Sequence, residues 1–351
     1  MQFTVIRDII NNMDEPTVVA YEAPPFHRRV IANLMDIMIF VLLFIAVFIP
    51  TNAITKITPQ YVAANEIVNT TREECGFYIY EPSTKTFMAY PTYFDNYASD
   101  ATGYVKATTC ANAIDDFIAY VGEKKGESYR KEIQDEYDSY RLGMEYYGNP
   151  YFIKVDGVVV SNKYSETEPE KTCKATNDEY YKNVYHIFIL QTCAGYLISW
   201  FPDYKDATTL MSNMLFFIEI PISYFMAGLI TYFIPPLIFR RGGKTFGKLA
   251  FRIGLINNDL FSPSVGKIIA RFSIFFFGEM VLSLFTFGLP FIISFSMMAF
   301  SKRKQGFPDY MLGLIEIDTS KNNIYFNKYE AAVFQMDGSK KGISFHMREQ
   351  K

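Results

Sequence analysis

The hydrophobic positions of this 351-residue chain gather into blocks, and one long polar stretch divides the first block from the rest. The first block is Val30-Ile-Ala-Asn-Leu-Met-Asp-Ile-Met-Ile-Phe-Val-Leu-Leu-Phe-Ile-Ala-Val-Phe-Ile49. An apolar run of this length predicts a membrane-spanning helix over 26–50, entered through His27-Arg28-Arg29 and stopped by Pro50. A second block predicts a spanning helix within 211–239, its end kinked or unwound by Pro235-Pro236. The third block, 267–300, has Lys267 and Arg271 before it, Lys302-Arg303-Lys304 after it, and Gly288-Leu-Pro290 within it. It reads as one straight span or as two shorter helices hinged at the Gly/Pro. The hinged hairpin is favoured because it keeps both basic flanks on one side of the membrane. Residues 184–204 are also apolar, but a crossing there would export Arg240-Arg241, so they are read as a buried domain helix or an interfacial one near Trp200.

The polar stretch predicts a separate folded unit, an α+β domain over 51–205. Gly76-Phe-Tyr-Ile-Tyr80 and Thr86-Phe-Met-Ala-Tyr90 read as paired strands, and Phe152-Ile-Lys-Val-Asp-Gly-Val-Val-Val160 carries Asp-Gly between β-branched runs, a short-hairpin signal. Residues 115–146 place apolar and tyrosine positions at helical spacing. Residues 51–183 hold 17 of the 26 tyrosines, which suits either a ligand-recognising surface or an aromatic core.

Charge orients this layout. Residues 51–183 hold 14 Lys and Arg against 21 Asp and Glu, seven acidic in excess, so with −3 overall the remainder of the chain is +4. Basic residues concentrate on the cytoplasmic side of membrane proteins. The expectation is therefore a multi-pass cell-membrane protein with cytoplasmic segments at 1–25, 240–266 (a Gly-rich loop) and 301–351, and an extracytoplasmic inserted domain. Residues 1–25 carry Asp8, Asp14, Glu15 and Glu22 without an apolar core, unlike a signal peptide. The acidic balance and the lack of a basic stripe argue against nucleic-acid binding. Cys75, Cys110, Cys173 and Cys193 all lie between the first two spans, compatible with two disulfides in any of three pairings or with four buried thiols. No spacing suits a metal, none of the three histidines sits in a hydrolytic motif, and the expectation is a non-enzyme with no cofactor.

Asp36 is the main chemical anomaly. A carboxylate inside a span costs roughly 2.5–3.5 kcal/mol at the helix centre, so it needs a partner or a wet cavity. Arg29 is seven residues away, roughly 10 Å along the axis, and helical side chains lean toward the N-terminus, so Asp36 leans toward Arg29 while Arg29 leans away. Arg271 is the expected partner of Asp36, and Asp309 or a lipid phosphate that of Arg29. Glu219 and Glu279 also fall in apolar blocks, and Glu279 could share an ion or proton site with Asp36. Gly242-Gly-Lys-Thr-Phe-Gly-Lys248 imitates a phosphate-binding loop, but Leu249 stands where Ser or Thr would hold magnesium and no strand precedes it. A turn bringing Lys248 to headgroups or to the carboxylates is expected instead.

Three fragments together resemble the RDD family of integral membrane proteins. They are Phe26-His-Arg-Arg29-Val-Ile-Ala-Asn-Leu-Met-Asp36, then Gly243-Lys-Thr245-Phe-Gly247-Lys248 followed by Arg271, then Gln305-Gly-Phe-Pro-Asp309-Tyr-Met-Leu-Gly313. The resemblance covers 26–50 and 211–318, with the inserted domain between. Pro308 stands where the family has His, and Leu314 where it has Thr, so a proton relay built on that His has no group here. The resemblance implies α-helical polytopic architecture and transport of an ion or small ligand through an intramembrane Arg/Asp network (Arg29, Asp36, Arg271, Glu279, Asp309). So few spans imply self-association in the bilayer. The alternative is a membrane-anchored envelope receptor, sensor or assembly factor, whose extracytoplasmic domain binds an unidentified ligand or protein.

Overall fold

The computed structural model describes residues 22–81, 84, 86–89, 103–300 and 305–331. Most of the N-terminal segment (1–21), the basic flank Lys302-Arg303-Lys304, Tyr90 of the second strand, and the tail beyond 331 with His346 lie outside the described residues. The chain divides into two compact units, Met1–Asn52 with Glu219–Lys351, and Ala53–Ile218. Three helices of the described residues are long and apolar enough to cross a membrane, namely Phe26–Lys56, Pro202–Ile238 and Val265–Phe285.

The unit of 53–218 has a core of its own. Helix α2 (Pro59–Glu74) leads to the paired strands β1 (Tyr78–Glu81) and β2 (Thr86–Ala89), then α3 (Tyr104–Lys125) and α4 (Glu127–Leu142). Two small hairpins follow, β3 (Glu145–Tyr146) with β4 (Asn149–Pro150), and β5 (Phe152–Val155) with β6 (Val158–Ser161). The second turns on Asp156 and Gly157 at φ 50° and 87°, the paired left-handed conformation that Asp-Gly supplies at least strain. Helix α5 (177–200) lies in this core, with Tyr180, Val184, Phe188, Cys193 and Leu197 buried. Its apolar face is covered by protein, and the helix is not among those long and apolar enough to cross a membrane. Several tyrosines are core residues here. Tyr137, Tyr151 and Tyr180 are fully buried, and Tyr180 Oη donates to the Tyr151 carbonyl at 2.8 Å.

The other unit is built on α1 (Phe26–Lys56), most of α6 (Pro202–Ile238), α8 (Val265–Phe285) and α9 (Leu289–Phe300). Pro50 lies inside α1 and does not end it, contrary to the expected stop. Beside it, the Thr51 hydroxyl donates to the Val47 carbonyl at 2.8 Å, one turn back along the helix. α1, α6 and α8 pack through an aromatic core of Phe40, Tyr232, Phe272 and Phe276. A Cβ on Gly228 would lie 2.3 Å from the Phe276 ring, so glycine sets this close approach. The third apolar block breaks at Phe287 (φ 50°) and Gly288 (φ 81°), and Phe291 of α9 returns to pack on Phe275 of α8, with centroids 6.2 Å apart. Twelve residues rise about 18 Å, so the described length of α9 falls short of a hydrocarbon core of about 30 Å.

Residues 240–266 are not a loop throughout. They contain α7 (Phe246–Ala250) and β7 (Ile253–Asn257), which pairs antiparallel with β8 (Leu314–Asp318) in the register Ile253↔Asp318 to Asn257↔Leu314. The short α10 (Phe307–Leu312) immediately precedes β8 and ends at Gly313, whose φ of 60° turns the chain into the strand.

All four cysteines are free and buried, so no disulfide is formed. Burial pushes the Cys75 thiol up to about 12 and raises those of Cys110 and Cys193. Thiolate is the reactive form. The folded chain in detergent should therefore resist N-ethylmaleimide at pH 8 and take up four equivalents once denatured. Intact-mass measurement checks this, and a mass showing disulfides in the native protein would contradict it.

Candidate functional site

The site forms where α1 meets the segment 243–318, within one unit. Thr245 is the N-cap of α7, its hydroxyl accepting from Lys248 N at 3.4 Å. The same hydroxyl donates to Asp36 Oδ2 at 2.5 Å. Gly247 N, one of the free donors of the first helical turn, donates to Asp36 Oδ1 at 2.7 Å. Both carboxylate oxygens are thus occupied by one short helix start, and Asp36 is 2% exposed. Contact this close requires glycine, because a Cβ on Gly247 would lie 2.0 Å from the Ala32 carbonyl oxygen. The fragment Gly-x-Thr-x-Gly-Lys is accounted for residue by residue: Gly243 turns at φ 50°, Thr245 caps and donates, Gly247 admits α1, and Lys248 reaches onward.

Lys248 Nζ lies 2.7 Å from Glu316 Oε1, and Arg29 Nε donates to Glu316 Oε2. All three are buried, and the carboxylate is held from both sides by cations. Arg271 forms a fork on Asp309, Nε to Oδ1 at 2.6 Å and Nη2 to Oδ2 at 3.4 Å. Asp309 sits in the first turn of α10, with Pro308 beside it where a missing N–H has no helical partner to lose. Gln305 Nε2 ties this segment to the Leu314 carbonyl at 2.7 Å. At the rim, Arg28 bonds Asp318 Oδ2 at 2.6 Å and the Phe251 carbonyl at 2.5 Å. Burial works against ionisation of Asp318, but Ser320 and then Arg28 bring its carboxyl down to about 2.

Two expected pairings are corrected. Arg271 contributes to the field at Asp36 but spends its fork on Asp309, and Arg29 pairs with Glu316, Asp309 being held by Arg271. The inference that Arg29 and Asp36 would not bridge directly agrees with these bonds. Nor are Asp36 and Glu279 brought together. Glu279 is 2% exposed, meets Ser294 and the fields of Arg271 and Asp309, and leaves Oε1 with no hydrogen-bond partner. Glu219, buried as well, accepts from Asn52 Nδ2 at 2.8 Å. Glu316 and Asp318 were missed by sequence reasoning. Alternation in Leu314-Ile-Glu-Ile-Asp318 puts both acids on one strand face with Leu314, a signal that gains meaning once β8 is known to be buried on both faces.

Arg29, Lys248 and Arg271 balance Asp36, Glu316 and Asp309, so the buried set is electrically neutral and acts as a clasp between α1, α7, α8, α10 and β8. No group of three or more metal-ligating side chains occurs among the described residues.

Two measurements test the clasp. Alanine in an ordinary helix interior gains about 1 kcal/mol over glycine, whereas Gly247→Ala should lose about 3 kcal/mol or more through overpacking against Ala32. A thermal midpoint at or above wild type would contradict the geometry. The second test is pH. Burial alone would raise the Glu316 carboxyl, but Lys248 and then Arg29 hold it well below its ordinary 4.5. A carboxyl lowered in the folded state stabilises fully above the ordinary value, and that stability drains away as pH falls below about 4.5. Unfolding midpoints of the detergent-solubilised chain between pH 6 and 3 should fall for wild type. Glu316→Gln should start about 3–5 kcal/mol lower at pH 6 and fall less steeply, and an unchanged slope would refute the assignment.

The RDD family model matches residues 176–313. No curated protein and no solved structure matches the chain. The match holds Thr245, Gly247, Lys248, Arg271, Glu279, Asp309 and Gly313, but it starts in α5 and does not reach Arg29 or Asp36, so its coverage differs from the 26–50 and 211–318 of the sequence resemblance. Hydrogen bonds from Thr245 and Gly247 to Asp36 tie the first apolar helix to the matched segment. The chain has an RDD family domain at 176–313 and three helices of membrane-spanning length and composition.

Proposed function

We propose that this chain is a multi-pass membrane protein that moves a proton or small cation, with Glu279 as the exchanging carboxylate. On this reading the Arg29–Asp36–Lys248–Arg271–Asp309–Glu316 clasp holds the helices in place around it. The observation that carries the reading is the uncommitted Oε1 of Glu279, buried inside α8. Ionisable groups within a span mark functional sites by default. Ser283 lies one turn further along the same face, and its hydroxyl, like those of Ser223 and Thr231 in α6, is buried without a hydrogen-bond partner. Glu279 also lies in a π-type stretch, Ile274–Val281, a local widening that recurs at functional sites. In the clasp the three carboxylates are each bonded at both oxygens or paired with cations, and so lack this freedom.

A second reading rests on a different observation. The unit of 53–218 has its own aromatic core, so it could recognise a ligand or protein while the apolar helices serve as an anchor, as in a receptor, sensor or assembly factor. Reconstituted vesicles separate the two. Under an imposed pH or cation gradient, wild type should give measurable flux and Glu279→Gln should abolish it. Asp36→Asn should lower the thermal midpoint while keeping flux per folded protein within about twofold. Absence of flux from wild type, or full flux from Glu279→Gln, would overturn the transport reading and leave the second.

A further inference from the structure

Beside the end of α6 lies a cavity of about 460 Å³ that neither the clasp nor Glu279 uses. Its walls include Arg240, Arg241 and Lys244, together with Ile238, Leu249 and Phe326, and among the described residues no carboxylate lines it. The cations come from the turn that follows α6, where Gly242 and Gly243 take positive φ and so let three basic residues project within five positions. The turn is pinned. Gly242 N donates to Ser262 Oγ at 3.1 Å, and the Gly242 carbonyl accepts from Leu255 N at 2.8 Å.

The cations differ in their commitments. Arg241 is bridged to Glu330 and lies over the Phe326 ring, with its guanidinium carbon 5.4 Å from the centroid. Lys244 Nζ donates to Thr319 Oγ1 at 3.0 Å, and burial lowers its ammonium from its ordinary value. Arg240 is exposed and has no ion pair among the described residues. Two cations, Arg240 and Lys244, thus border a cavity without a counter-charge.

We propose that this cavity binds the phosphodiester headgroup of an anionic phospholipid. A planar guanidinium and a point ammonium together suit the two free oxygens of a phosphodiester. Location decides for a lipid over a free phosphate. Ile238, the last residue of a helix long enough to span, is 68% exposed, and Leu249 across the cavity is 39% exposed. They form an apolar lip at the depth where a span gives way to headgroups, with Arg240 two residues further on. Basic pockets at such helix ends recognise anionic headgroups, and a volume near 460 Å³ lies in the range of small-ligand sites.

The test uses the full chain in a neutral detergent at 0.15 M salt, titrated with dioctanoyl phosphatidylglycerol, dioctanoyl phosphatidylcholine or inorganic phosphate, with binding followed by calorimetry. Phosphatidylglycerol should bind at least tenfold more tightly than phosphatidylcholine. Arg240→Gln and Lys244→Gln should each weaken it roughly fivefold, at the strength expected per cation near a membrane surface. Ile238→Ser should weaken the lipid as well, whereas Lys171→Gln, a cation in the other unit, should not. Arg240→Gln removes a solvent-facing side chain, so it reads binding without endangering the fold. Equal affinity for the two lipids, or wild-type affinity in Arg240→Gln, would overturn the site. Inorganic phosphate binding as tightly as phosphatidylglycerol would overturn its assignment to lipid.

Discussion

The carboxylate of Asp36, gripped by the Thr245 hydroxyl and the Gly247 amide, is the contact on which the rest of the clasp depends. It fixes α1 against the start of α7 so closely that only glycine fits at 247. With α7 in that position, Lys248 points at Glu316, and the Arg29 side chain, two helical turns before Asp36, closes on the same carboxylate. Burying ions is tolerable only when each has its counter-charge and its hydrogen bonds, and removing one member of such a set typically costs about 3–5 kcal/mol. The clasp is therefore expected to form or fail as a unit. Its members lie far apart in sequence, from Arg29 to Glu316, so it also specifies which helices are neighbours.

Some of this was legible in the sequence because local rules sufficed. Asp156-Gly157 demands a tight hairpin, an apolar run such as 30–49 demands a helix, and Gly288 beside Pro290 breaks one. Periodicity also showed that Arg29 and Asp36 could not bridge each other. What periodicity could not give was the identity of each partner. A seven-residue spacing names a face of α1 but not the strand that covers it. That strand, β8, is recognisable only through its pairing with β7 some sixty residues earlier, a non-local contact that no window contains. Glu316 therefore does not stand out in the sequence, and of the partners expected for Arg29, Asp309 or a lipid phosphate, the first is held by Arg271.

Pro50 and the cysteines share another feature, the override of a local or compositional rule by tertiary context, which at the cysteines decides between the two readings the sequence leaves open. Proline removes a backbone donor, yet α1 continues through Pro50 to Lys56. An even number of cysteines on one side of a membrane permits disulfides, but each thiol here is enclosed in an aromatic and aliphatic core, where it behaves as a small apolar group.

The contrast between the clasp and Glu279 is physical. A group that changes charge during a transport cycle must do so without unfolding its surroundings. Glu316 and Asp309 are each held by cations, so protonating either would strand a buried cation, while Asp36 has both oxygens taken up by Thr245 and Gly247. Glu279 has one oxygen committed near Ser294 and one uncommitted, so gaining or losing a proton or cation there breaks no bond at Oε1. The neutral clasp and the half-satisfied carboxylate are thus complementary: rigidity is concentrated at one end of the apolar helices, and freedom to change charge lies further along α8. On the transport reading, an exchanging Asp36 would have to open its tight, glycine-dependent seat at α7 in every cycle, and the adjacent Lys248–Glu316–Arg29 bridge with it.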